Sequence, residues 1–481
     1  MADTGLAVWP APPAHLHLLG ICGYAVSGLA LCCQELGFRV TGSDEDAYPP
    51  TTDTLRAASI PVGDGHDPAN LERWGVPDLV ILGNQVQPGN RELAAARDRG
   101  LPVLSEAEAY RGLAEGRTRA VICGTHGKTT TSTLTAFMLE AAGCRPGFRL
   151  GATARDFATT ARLGDPRPGG PFVFEGDEYT TSALDPRAKF LHWEPQVLTL
   201  LNLELDHPDI YPDLDAYTAP YRELVAGLPA SGWLLYNAED ALVAQLAAPA
   251  MAQRESWGLT RGDWALARPP IVEGGRQRIT VRCPGGGELV LRLHGFGPHN
   301  AADAVAALAT AVHLGADPGR AAAAAADCHG AARRFEVLGA AGEVTVVDDY
   351  AHHPTKIRAT IAGARQRFGE GVQLVMVHVP HTYSRTRALL PEYRDAFLGL
   401  DLLVLGPIEP ARERHLEGTV SSEQVAALVL GPEMLLVDSA GAAIEAVLER
   451  LRPPAVVVCS SVRGFDGVAG RLLIRLRERQ G

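Results

Sequence analysis

An apolar run that stops in glycine and restarts as a helix leaves few folds open. Arg119-Ala-Val-Ile-Cys123, followed by Gly124-Thr-His-Gly-Lys-Thr-Thr-Thr131, is such a run. Its first part reads as a strand buried on both faces, and the residues up to about Ala142 carry a helical apolar pattern. A strand that turns directly into a helix belongs to a parallel sheet, whose crossover helices cover its faces. The glycines also point to a chemistry. They let backbone N–H groups converge on phosphate at a helix N-terminus, where the dipole favours negative charge. In such a loop Lys128 reaches the terminal phosphates and the Thr129 hydroxyl meets Mg²⁺. The usual phosphate loop has a glycine five positions before its second glycine, but Ile122 stands there, so this loop is a shortened variant.

The same rhythm recurs on either side. His15-Leu-His-Leu-Leu19, the turn Gly20-Ile-Cys-Gly23, a helical stripe from Ser27 to Leu36 and Phe38-Arg-Val-Thr41 read as strand, turn, helix and strand, with further strands at Leu79–Leu82 and Val103–Leu104. After the phosphate loop, buried strands are expected at Phe172–Phe174, Val197–Leu201 and Trp233–Tyr236. Short alternating strands follow over 260–295, which predict an antiparallel piece, and then an Ala-rich helical stretch over 301–327. From Arg333 onward, Val344–Val347, Leu374–His378, Leu402–Leu405, Leu435–Val437 and Ala455–Cys459 give five more strands. The fold class is α/β in three domains: a Rossmann-like one over 1–116, a phosphate-loop ATPase domain over 117–331 and a second Rossmann-like one over 332–481. At ~150 residues per domain, 481 residues suggest the same number.

Charge and composition narrow the partners. Forty-four basic residues against 56 acidic ones give a net charge of −12, so no broad basic surface invites nucleic acid or a membrane. Neither a charged leader followed by an apolar run nor an apolar stretch near ~18 residues is present, and the expectation is a soluble, cytoplasmic protein. Eight cysteines without a C-x-x-C pair read as reduced core residues. Lysine is scarce: only Lys128, Lys189 and Lys356 occur.

Two ligating groups end strands near the phosphate loop. Glu175 follows Phe172-Val-Phe174, with Asp177 and Glu178 next, and His207 closes Asn202-Leu-Glu-Leu-Asp-His207. Carboxyl ends of parallel strands face the ligand crevice, so Glu175 and His207 are expected at the phosphates held by Lys128. Gly20-x-x-Gly23 alone also fits a dinucleotide fingerprint, and hence a nicotinamide-dependent dehydrogenase, but that reading leaves the Lys128 loop unexplained.

Taken in order, Gly124–Thr131, Glu175-Gly-Asp-Glu178, Asn202–His207, Gly297-Pro-His-Asn300, Arg333-Arg-Phe-Glu336 and Asp348-Asp-Tyr-Ala-His-His-Pro354 resemble the motifs of the Mur ligase family over nearly the whole chain. The resemblance implies an ATP-dependent ligase that forms an amide bond of the peptidoglycan peptide. One domain is expected to hold a UDP-sugar, one ATP, and one the incoming amine. It gives Lys128, Glu175, His207 and Asp349 catalytic roles, and Thr129, Glu175 and His207 a metal, Mg²⁺. Gly124, Thr125, His126, Gly127, Lys128, Thr129, Thr130 and Asn300 would hold ATP, with Arg334 and Asp349 at its adenosine end. The family asparagine three positions after Asn300 is Asp303 here, and no lysine stands where some relatives carry a carbamylated one.

The chain is most similar to the branch that binds UDP-N-acetylmuramate. There Gly20 and Gly23, with Ser27 on the following helix, and Ser43 with Asp44 are expected to bind the sugar nucleotide. His352 and His353 are candidates near the amine, as a base or as structural residues. Gly20–Gly23, Gly42-Ser-Asp44 with Tyr48-Pro-Pro50, and Gly464-Phe-Asp-Gly467 resemble members that add the tripeptide L-alanyl-γ-D-glutamyl-meso-diaminopimelate. Pro380-His-Thr-Tyr-Ser-Arg-Thr386 resembles those that add L-alanine. Both kinds use the same sugar nucleotide, so the third domain decides, and L-alanine is the expected amine with the tripeptide as the alternative. Arg385 would then pair with the amino-acid carboxylate, or hold its own loop.

Overall fold

A computed structural model describes residues 9–479 apart from 46, 48–50, 183, 209 and 412; Tyr48-Pro-Pro50 lies outside the described residues. Three parallel-type sheets follow one another along the chain. The first is wholly parallel, with spatial order Val62–Asp64, Arg39–Asp44, His15–Leu19, Leu79–Leu82, Val103–Ser105. Its order reverses between His15–Leu19 and Leu79–Leu82, which opens a crevice beyond Gly20 and Gly83. Both histidines of the buried strand His15–Leu19 reach Thr41 Oγ1, at 2.8 and 2.7 Å, and His17 also meets Glu92 at 2.7 Å.

The central sheet orders Gln253–Trp257, Trp233–Asn237, Val197–Leu200, Thr118–Cys123, Pro171–Gly176, Gly147–Ala154, Thr159–Arg162, parallel except for the last pair. Thr118–Cys123 lies between Val197–Leu200 and Pro171–Gly176. That adjacency brings the ends of the two neighbouring strands, Asn202 and Glu175, beside the glycine loop. Ala265–Glu273, Arg276–Arg282 and Glu288–Leu293 form the antiparallel sheet that the alternation predicts. The Ala-rich region is two helices, Gly297–His313 and Pro318–Ala324, because Gly315 takes a left-handed φ of 93° between them.

The third sheet orders Glu336–Ala341, Val344–Asp349, Ala455–Ser460, Gln373–His378, Leu402–Leu405, Glu433–Leu436, with only the first pair antiparallel. Strands Gly147–Ala154, Thr159–Arg162, Gln253–Trp257 and Glu336–Ala341 are absent from the sequence reading. Three of them lie at sheet edges, where a polar run such as Gln-Arg-Glu-Ser is tolerated, and Gly147–Ala154 carries two glycines that weaken the pattern.

The sheets are joined unequally. Ile21, Val26 and Tyr110 of the first share one apolar cluster with Phe172, Phe174 and Trp193 of the second. Glu106 sits in the same contact, pairing with Lys189 at 2.9 Å and Arg149 at 3.2 Å. The third sheet has apolar clusters of its own. It meets the second along the helices Gly297–His313 and Pro354–Phe368, where Arg367 lies over the Phe296 ring, and through polar pairs at the site.

Candidate active site

Two glycines build the loop ahead of the helix Lys128–Ala141. Gly124 has a φ of 146°, and a Cβ there would come within 2.9 Å of Leu201 and 3.0 Å of the Asn202 backbone. Gly127 is the N-cap at φ 84°, where a Cβ would overlap the Asp303 carboxyl. The neighbouring strand end fixes the loop from the side: the His126 N–H donates to Asn202 Oδ1 at 2.8 Å and the Thr125 hydroxyl to Glu204 O at 3.0 Å.

Lys128 turns back over this loop, donating to Gly124 O at 2.6 Å and to Glu178 Oε2 at 2.8 Å. Burial opposes its charge, yet the Glu178 and Asp177 carboxylates outweigh burial and hold the amine above its ordinary pKa. Glu178 is buried as well, but Lys128 and His207 bring its carboxyl down to about 2. Beside them the Thr129 hydroxyl donates to Glu175 Oε1 at 2.7 Å, and the Gly151 N–H to Glu175 Oε2 at 2.6 Å. Burial first, and Asp177 second, raise the Glu175 pKa. A deeply buried carboxylate beside a hydroxyl is an oxygen donor set suited to a hard cation.

His207 has a φ of 56°, which aims its ring inward: Nε2 faces Glu178 Oε1 at 3.2 Å and Nδ1 accepts from Arg385 Nη2 at 2.9 Å. Arg385 belongs to the third domain, and its Nε donates to Asp206 Oδ1 of the second at 2.8 Å, both side chains being at least 96% buried. Arg334 also crosses, donating to Thr129 at 3.3 Å and lying over the Tyr350 ring at 4.5 Å. It therefore reaches the first turn of the helix that follows the glycine loop.

A cavity of about 1570 Å³ connects these groups to both flanking domains. Gly20, Gly23 and Asp44 line its first-domain end, and Asn300 and His299 stand with Asn237 and Trp257 near the second sheet. Lys128, Thr129, Thr130, Glu175 and His207 line the middle, and Arg334, Asp349, His352, Lys356 and Arg385 close the third-domain side.

Several of the expected side chains are held by protein partners, and three of them, Ser27, Ser43 and His353, lie off the cavity lining. The Ser27 hydroxyl donates to Tyr24 O at 3.1 Å and the Ser43 hydroxyl to Glu92 at 2.8 Å, and neither residue lines the cavity, because each side chain points into its own domain. Asp349 accepts from Phe335 N at 2.6 Å and Ala351 N at 2.8 Å, so its carboxylate shapes the loop that presents Arg334. His353 is the N-cap of the helix Pro354–Phe368; it does not line the cavity itself, but it packs behind His126 and Glu204, which do. Arg385 lines the cavity, but it donates to Asp206 and His207 of the second domain and to His381. The sequence reading gave no role to Glu178 or Asp206, although both stand inside quoted motifs, and nothing local signals Arg149, whose guanidinium holds Asp177 at 2.7 Å.

Residues 15–118 match the Mur ligase family, catalytic domain; residues 122–311 match the Mur ligase middle domain; and residues 333–463 match the Mur ligase, glutamate ligase domain. The protein named UDP-N-acetylmuramate–L-alanine ligase from Roseiflexus sp. (strain RS-1) is 37% identical over 419 residues, 83% of this chain and 86% of the relative. The chain belongs to the Mur ligase family. This Mur ligase is also similar to the UDP-N-acetylmuramate–L-alanyl-γ-D-glutamyl-meso-2,6-diaminoheptandioate ligase of Escherichia coli (strain K12), 35% identical over 76% of this chain and 79% of the relative. Relatives carrying the L-alanine name range from 34 to 40% identity. The crystal structure of UDP-N-acetylmuramate-alanine ligase from Thermotoga maritima shares the three-domain fold, with a TM-score of 0.76 and 24% identity over 97% of this chain and all of that one. This Mur ligase is an ATP-dependent enzyme that forms an amide bond. Among the described residues no helix is long and apolar enough to cross a membrane.

Proposed function

We propose that this Mur ligase joins the lactyl carboxylate of UDP-N-acetylmuramate to the amine of L-alanine, in the cytoplasm, as a step of peptidoglycan precursor synthesis. The observation that carries the reading is the single cavity in which Lys128, Thr129 and Glu175 stand between a first-domain crevice and the third domain. A sugar nucleotide bound at Gly20, Gly23 and Asp44 would extend its carboxylate toward the phosphate loop. ATP would lie over Gly124–Thr130 with its base toward Asn300.

The carboxylate attacks the γ-phosphorus, ADP departs, and an acyl phosphate forms; the amine then attacks the acyl carbon and phosphate leaves. No protein nucleophile is needed, so catalysis rests on positioning and charge. Lys128 would exchange Glu178 for the phosphates as it stabilises the charge that develops on them. Arg334, already at Thr129, adds a second cation from the third domain. Thr129 and Glu175 would hold Mg²⁺, with His207 beside them, and the ion supplies charge neutralisation when bound. Arg385 and Asp206 would keep the third domain docked and water away from the acyl phosphate.

The L-alanine assignment is supported by the many relatives of that name. The tripeptide reading is favoured by Gly464-Phe-Asp-Gly467 and by the Escherichia coli relative. Measuring ADP release with UDP-N-acetylmuramate against a panel of amines separates the two.

A further inference from the structure

We propose that His126, Glu204 and His353 form a site for a borderline divalent transition ion of the Zn²⁺ kind, bridging the phosphate-loop domain and the third domain. One donor atom from each residue falls within 4.8 Å of the other two. A four-coordinate Zn²⁺ with bonds of ~2.0–2.2 Å places its ligand atoms about 3.4 Å apart, so small side-chain movements complete the set. Nδ1 of His353 is already 3.4 Å from Glu204 Oε1, and Nε2 of His126 touches the same oxygen.

The two nitrogens that face Glu204 hold no strong protein bond other than to that carboxylate: His353 Nδ1 receives only a long 3.2 Å bond from Thr355 N, and the far nitrogens, His126 Nδ1 and His353 Nε2, are buried without a partner, which leaves either tautomer open to each ring. The scaffold, by contrast, is pinned. Asn202 brackets the His126 backbone with bonds of 2.8 and 3.1 Å, and the Glu204 N–H donates to Thr125 Oγ1 at 3.0 Å. Thr355 Oγ1 orients the second carboxylate oxygen of Glu204 at 3.2 Å, the kind of outer contact that supports a metal ligand.

Protonation favours binding too. Burial lowers the His126 pKa and brings His353 down to about 3, while the hydrogen bond from His126 outweighs burial and brings Glu204 down to about 2. At neutral pH the set is two neutral imidazoles and one carboxylate, and the proton that His126 Nε2 gives to the Glu204 hydrogen bond moves to Nδ1 when the ion takes Nε2. Two nitrogens and one oxygen select Zn²⁺ over Mg²⁺, which sets this site apart from the oxygen donors Thr129 and Glu175. The site is assembled only when the third domain is docked, because His353 alone comes from that domain.

The test uses the full-length protein, stripped of metal and kept in excess Mg²⁺, titrated with Zn²⁺ against a chromophoric chelator. One equivalent should bind to the wild type, and Co²⁺ in its place should give the intense visible absorption of a four-coordinate site. His353→Asn, which keeps a helix-capping side chain, and Glu204→Gln should each weaken Zn²⁺ binding by at least about tenfold and abolish that Co²⁺ spectrum. Circular dichroism and thermal unfolding establish that both variants fold. Absence of stoichiometric Zn²⁺ binding in the wild type, or unchanged affinity in both folded variants, overturns the proposal.

Discussion

Replacing Arg385 tests whether the third domain is held by a buried charge pair or reads the substrate. Arg385 and Asp206 meet at 2.8 Å, 179 residues apart in the chain, with side chains 4% and 2% exposed. Removing one member of such a pair leaves an uncompensated buried charge at a cost of about 3–5 kcal/mol. In Arg385→Met that cost falls on the docked arrangement of the two domains, because the pair spans them. At 1.4 kcal/mol per factor of ten, the docking equilibrium should weaken by roughly two to three and a half orders of magnitude, which is the upper limit of the fall in kcat. Binding of UDP-N-acetylmuramate should stay within a few-fold of wild type, since its crevice lies in the first domain. Adding Asp206→Asn removes the stranded charge, so the double variant should be less impaired than the two single losses predict, by about 1–3 kcal/mol of coupling. Steady-state kinetics on the four proteins reads this directly. Additive losses, with Arg385→Met raising only the KM for the amino acid, would refute the docking role and return Arg385 to the substrate carboxylate.

Lys128→Ala should abolish ligation while leaving sugar-nucleotide binding nearly intact, as seen by calorimetry with UDP-N-acetylmuramate; turnover within a few-fold of wild type would remove Lys128 from the phosphates. Glu175→Gln should raise the Mg²⁺ concentration needed for half-maximal rate sharply, and His207→Ala less so, because a carboxylate is the harder oxygen donor; an unchanged Mg²⁺ dependence in Glu175→Gln speaks against this metal position. Burial pushes the Asp303 carboxyl up to about 8 from 3.8, so the folded protein keeps a proton that the unfolded chain releases. Its contribution to stability is full below about pH 4, declines by at most about 1.4 kcal/mol per pH unit and is lost by about pH 8. Asp303→Asn should therefore flatten the fall in Tm between about pH 5 and about pH 8, and an identical pH profile would mean that Asp303 ionises freely.

The sequence carried the sheets where their strands are apolar on both faces. Arg119–Cys123 and Ala455–Cys459 are such runs, and both stand in sheet interiors. Edge strands escaped because one hydrogen-bonding side faces no neighbour, which leaves Gln253–Trp257 free to be polar. In the site, the convergence of Lys128, Thr129, Glu175 and His207 on one crevice was legible because adjacent parallel strands deliver their carboxyl ends there. Side-chain direction was not legible. Ser27 and Ser43 have the right residue type at the right turn, yet their hydroxyls point to Tyr24 O and Glu92. Contacts between domains were invisible for another reason: no local pattern links Arg385 to Asp206, or His353 to Glu204, when the partners come from different sheets.

The central claim is that one cavity couples ATP cleavage to acylation of L-alanine by the sugar nucleotide. The direct measurement is ADP release and product mass with UDP-N-acetylmuramate, ATP and either L-alanine or the tripeptide at equal concentration. The account predicts UDP-N-acetylmuramoyl-L-alanine in step with ADP, and a kcat/KM at least about tenfold higher for L-alanine. A kcat/KM at least about tenfold higher for the tripeptide, or no ADP release with either amine, would contradict it.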